Sequence, residues 1–160
     1  MQEGYTKALV ETRNAIEKRL TNIGNRLTVT PTFHRGAPDP SNLPDETLGV
    51  WLNWDDTGPD DEETPQLTIL RTNWHIYIVG KIDGTDQFGG SSSLVEQVWG
   101  DIVNTFRETV EDIGLDGSID YTTTPQCSHG YATLSGGDRR VEAIEMVLGA
   151  SWQMVAIRVP

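Results

Sequence analysis

An α+β domain, with an antiparallel or mixed β-sheet and two main helices on one of its faces, is the fold that the sequence predicts. Three observations carry that expectation. Two stretches, 5–26 and 93–113, place apolar residues at helical spacing. The stretch 67–82 alternates them at strand spacing, and short β-branched runs separated by Gly and Pro turns fill much of the rest. No internal repeat and no Pro/Gly/Ser linker divides the 160 residues, so one domain over 1–160 is expected.

The first helix is predicted over 5–26. Leu9, Ile16, Leu20, Ile23 and Leu27 fall on one face, Lys7, Glu11, Arg13, Glu17 and Lys18 take other positions, and Gly24-Asn25 marks the stop. A strand signal follows over 27–33, where Leu27, Val29 and Phe33 alternate with threonines and Pro31 demotes the run to an edge strand or splits it. Residues 35–48 read as a loop, 49–54 as a short strand with Trp51 and Trp54, and 55–65 as an acidic loop. The strand 67–82 would reach about 53 Å, far beyond the usual length, so it either bends at a bulge or projects beyond the domain. After a Gly/Ser turn at 83–92, the second helix carries the stripe Val95, Trp99, Ile102, Phe106, Val110 and Ile113. Ser93 and Glu96 form a capping box, and Gly114 ends the helix. Short strands are predicted at 119–123 and 129–134. A final extended stretch covers 139–159, with Gly149 as a bulge; 141–148 fits a helix too, but the β-branched alternation after Trp152 favours a strand.

Composition bounds the function. Twelve Lys+Arg against 24 Asp+Glu give a net charge of −12, and the pI is about 4.5. That balance argues against a nucleic-acid-binding module and against docking to an anionic membrane surface. No run reaches the length of a membrane span, and the first thirty residues lack a secretory h-region. Three Lys against nine Arg, with abundant Asp, suit molar salt, where screening suppresses self-repulsion. A halophilic source is consistent with this pattern, as is an ordinary acidic protein. The single cysteine, Cys127, rules out an internal disulfide and a multi-Cys zinc site.

The candidate sites are few. The acidic loop residues Asp55, Asp56, Asp60, Asp61, Glu62 and Glu63 could hold a divalent cation, but their spacing is not that of an EF-hand and Pro59 interrupts them. A solvated loop or an electrostatic contact surface explains them better. Cys127 and His129, read as lying in a Gly/Ser-rich turn, have no third group that would make a catalytic set; His34 and His75 add no metal-ligand spacing. Gly89 to Ser93 precede a helix as phosphate loops do, yet both nucleotide-loop patterns are absent, and Asp83 and Asp86 would repel a phosphate. No catalytic residue, metal or cofactor is therefore expected. Trp74 and Trp99 read as core, whereas Trp51, Trp54 and Trp152 are candidate interface anchors. Arg139 and Arg140, with Arg158, could meet the acidic loop of a neighbouring copy.

In layout the chain resembles the tail-terminator and tail-completion proteins of long-tailed phages and archaeal viruses: an N-terminal helix (5–26), strands, a long strand (67–82), a Gly-rich turn, a second helix (93–113) and a β-rich end. The resemblance lies in element order and size and covers nearly the whole chain. It implies a structural virion protein of the tail or neck, assembled in the host cytoplasm as a ring, typically a hexamer. Such a ring stops growth of the tail tube, docks the neck or head–tail connector, and lets DNA pass through its channel without specific binding. Extended strands and long loops would serve ring assembly. Another neck or tail-completion component has the same layout. Two readings of other classes stand beside it: a small acidic monomeric binding domain from a halophile, and a Cys127-dependent hydrolase.

Overall fold

The structure is a computed structural model that describes residues 2–59, 67–82, 93–117, 119–123, 125–134 and 139–155; side chains are not described at 2–5, 7–8, 56–59, 67–68 and 154–155. Over these described residues the chain folds as α+β with a mixed six-stranded sheet, two main helices and one short one. Helix α1 spans Gln2–Gly24, β1 Thr32–Arg35, β2 Leu48–Pro59 and β3 Leu67–Ile82. Helix α2 covers Leu94–Arg107, α3 Val110–Ile113, β4 Tyr121–Thr122, β5 Gln126–Thr133 and β6 Arg140–Val155. The sheet order is β1-β2-β3-β6, with β4 and β5 sharing the outer side of β6. Among the described residues β1 and β2 run parallel and the other strand pairs are antiparallel.

Both main helices lie on one sheet face. Ile16, Leu20 and Ile23 of α1 and Val95, Val98, Ile102 and Phe106 of α2 pack on Val50, Leu52, Trp74, Ile76, Ile78, Ile144, Met146 and Leu148. Each of these side chains stabilises the fold by about 1.5–3 kcal/mol when fully buried. Glycine at position 80 lets α2 approach: a Cβ there would meet Val95 Cγ2 at 2.5 Å.

Several expectations change on the real backbone. The strand expected over 27–33 is only Thr32–Arg35, because Pro31 offers no N–H to a ladder and the preceding residues turn out of α1. Its neighbour β2 is longer than expected. Pairing with β3 carries it through Asp55 to Pro59, so the first part of the acidic segment is strand rather than loop. The predicted bulge sits between Trp54 and Asp56 of β2, not within β3. Nor does β3 project: β6 pairs it along all 16 residues and β2 flanks it from Leu70 to Gly80. Gly149 makes no bulge either. It admits Thr123, whose Oγ1 accepts from the Gly149 N–H at 2.9 Å and whose N–H donates back to Gly149 O at 2.7 Å.

The second helix stops at Arg107. Thr109 then opens a new capping box, its Oγ1 accepting from the Asp112 N–H while Asp112 Oδ2 accepts from the Thr109 N–H. This break removes Val110 from the apolar stripe, and it is 81% exposed. Trp99 is also exposed, because Val98 takes its place against the sheet. The Ser93–Glu96 capping box forms as expected; the rest of the Gly/Ser turn, 83–92, lies outside the described residues.

Candidate assembly surface

The sheet has two edges, and they differ in kind. At one end stands β5, eight residues in unbroken register with β6 and all exposed. It holds no Asp, Glu, Lys, Arg or Pro and no bulge. Natural edge strands are usually blunted by one of those devices, because an unpaired row of N–H and C=O groups recruits further strands. Among the described residues nothing pairs the outer side of β5. At the other end β1 is four residues long and follows a proline. Beyond it, β2 continues from Asn53 to Pro59 with no described neighbour outside, guarded by Asp55, Asp56 and its bulge.

Part of the face opposite the helices is covered by described residues. Residues 36–47 fold over its upper part, and Leu43 packs with Trp51, Val79 and Val141. Arg139 holds this segment down, donating from Nη1 to Leu43 O at 3.1 Å and from Nη2 to Pro44 O at 2.8 Å. Asp45 lies 3.7 Å from the same guanidinium and 3.5 Å from Lys81 Nζ. Below the covered part, His75 faces Asp55 Oδ2 at 3.1 Å through Nε2 and Glu145 Oε1 at 2.8 Å through Nδ1. Tyr77 stacks beside the imidazole. Partial burial, then the charges of Glu145 and Asp55, push the Tyr77 phenol above its ordinary range.

All three histidines follow one pattern, each meeting a glutamate and an aromatic ring. His34 Nε2 lies 2.7 Å from Glu46 Oε1 and stacks on Trp51 at 4.5 Å. His129 Nε2 lies 2.7 Å from Glu142 Oε2, and its ring meets Tyr131 edge-on. These pairs tie neighbouring elements together: β1 to the covering segment, β3 to β6, and β5 to β6.

A cleft opens behind β1. Leu20 and Thr21 of α1, with Phe33, Val50 and Leu52, form most of its wall, and its volume is about 180 Å³. The Glu17–Arg35 ion pair, with Nε to Oε1 at 2.7 Å, rims it, and the hydrogen bond to Glu17 raises the guanidinium above its ordinary value.

The residues singled out in the sequence are dispersed by this fold. Trp51 and Trp152 are 4% and 5% exposed, so neither ring is a surface anchor; strand alternation aims both into packed faces. Trp54 does reach the surface at 47%. Asp55 is exposed but engaged with His75. Asp56 sits on β2 with its side chain outside the described residues, as do Asp60, Asp61, Glu62 and Glu63 altogether. Arg139 is committed to its own chain, which leaves Arg140 as the exposed member of the pair. Cys127 and His129 lie on β5, not in a turn, and His129 bonds Glu142 rather than the thiol. The bare edge of β5, Tyr131 and the cleft behind β1 escaped the sequence reading. Of these, the β5 edge alone carried a signal, the absence of charge between Gln126 and Thr133. No protein-family model matches the chain, and no curated protein is significantly similar to it.

Proposed function

We propose that this protein is a structural component of a virion that forms a ring at the head–tail junction, ends the tail tube and docks the neck. The single observation that carries the ring is the unguarded β5 edge. Eight regular, exposed, uncharged strand residues are a liability in a lone molecule and an assembly surface in an oligomer. The placement in a tail rests on the layout of helices and strands described above. The formal charge of −12 per copy fits a channel through which DNA passes without adhering, since phosphates meet a repulsive wall.

Light scattering on the purified protein in molar salt tests the ring. A mass near six times 17.7 kDa is expected; a mass of one chain at every concentration and salt overturns it. Labelled antibody on intact particles tests the place: label at the junction of head and tail supports the reading, and unlabelled particles that contain the chain nowhere overturn it.

A further inference from the structure

We propose that copies of this chain join edge to edge, β5 of one against β1 of the next, with Tyr131 seated in the neighbour's cleft behind β1. This rests on the ring reading and names its contact. Strand order places β1 and β5 at opposite ends of one sheet. The strand directions follow from the pairings: β1, β2 and β6 run one way, β3 and β5 the other. A neighbour related by rotation about an axis along the strands keeps those directions and keeps its helices on the same side. Its β1 then meets β5 antiparallel, the more stable arrangement. The sheet continues from copy to copy, a heterologous contact that closes when the rotation permits.

The side chains agree with the backbone. Cys127, His129 and Tyr131 stand on the helix face of β5, as their register with Met146, Ile144 and Glu142 requires. Phe33 and Arg35 stand on the helix face of β1, opposite Val50 and Leu52. Tyr131 is 64% exposed, the most exposed aromatic side chain among the described residues. The cleft behind β1 measures about 180 Å³, and a cavity of about 150 Å³ holds one benzene ring. With Tyr131 set opposite Phe33, Ala132 faces Thr32 and His129 faces Arg35. Charge does not oppose that register. In a chain of net charge −12 neither edge strand carries a carboxylate, and the nearest charges, Arg35 and Glu142, are already met within their own chain by Glu17 and His129. Pairing β5 with the β5 of a second copy would instead close a dimer and leave the cleft and β1 unused.

Cysteine cross-linking tests the contact. In a Cys127→Ser background, Ala132→Cys with Thr32→Cys places one thiol on each edge and spares Tyr131, Phe33 and the cleft. Oxidation in molar salt should give a ladder of linked species on denaturing gels that ends at the ring, while each single-cysteine variant links at least tenfold less. Gly130→Cys with Thr32→Cys covers a register shifted by two residues. Tyr131→Ala should raise the concentration needed for assembly at least tenfold with an unchanged circular dichroism spectrum and melting curve. A wild-type ring that links through neither pair, or that Tyr131→Ala leaves intact, overturns this contact and spares the ring reading. A wild-type dimer or monomer overturns both.

Discussion

Arg139 shows how much one side chain can hold. Its guanidinium bonds two carbonyls of the segment that covers Trp51, Val79 and Val141. Removing it leaves those carbonyls without their donor and frees the segment to expose an apolar patch. Arg139→Ala should therefore lower unfolding free energy by about 1–3 kcal/mol, read as a lower denaturant midpoint. Arg19 has a comparable role at the other end of the molecule. It bonds Thr105 O, Asp112 and Asp116 and so ties α1 to the turn after α2. That turn holds Leu115, Asp116 and Gly117 at φ 49°, 57° and 86°, three successive left-handed residues, two of which carry the steric strain glycine avoids. The Arg19 hydrogen bond is the largest influence that depresses the Asp112 carboxyl below its ordinary range. A carboxyl with a depressed folded value contributes stability that is complete above the unfolded value and is lost as pH falls through the folded one. Acid melts should show that loss in the wild type, and Arg19→Met should flatten it.

At the scale of elements, the close approach of α2 to β3 depends on Gly80. Val95 is 1% exposed and cannot swing aside, so the Cβ of Gly80→Ala must displace the helix. We expect a loss of about 1–3 kcal/mol from overpacking, measured as a shifted denaturant midpoint with an unchanged slope. The same scale explains the helices. Ser93 and Glu96 were legible because a capping box is a local device whose residues are three apart. The break at Glu108 was equally local, since Thr109 and Asp112 repeat that device, but the apolar stripe running on to Ile113 masked it. For Trp99 the choice against Val98 was not local at all. It was set by the angle at which α2 meets the sheet.

For the whole molecule, net charge and the sheet edges act against one another. Copies of charge −12 repel, whereas the contact proposed above draws the β5 and β1 edges together. Salt decides the balance, because the screening length is about 3 Å at 1 M and about 30 Å at 0.01 M. Assembly should therefore persist in molar potassium chloride and dissociate on dialysis to millimolar salt, with the mass from light scattering falling to one chain. An oligomer indifferent to salt would mean that the contact is too apolar or too distant from the carboxylates to feel them.

Sequence periodicity by itself determined the α+β class, the site of both helices and the β3 segment, because each is written in the spacing of neighbours along the chain; for 141–148 of β6 it left helix and strand both open. Composition likewise determined the acidic character, a net charge of −12. Only the tertiary structure decided which strand pairs with which. That is why β3 is satisfied within its own sheet, why Trp51 and Trp152 are buried, and why the unguarded edge is β5. Ladder hydrogen bonds join residues far apart in sequence, as Tyr77 to Glu145 shows, and an edge is defined by the partner it lacks rather than by the residues it holds.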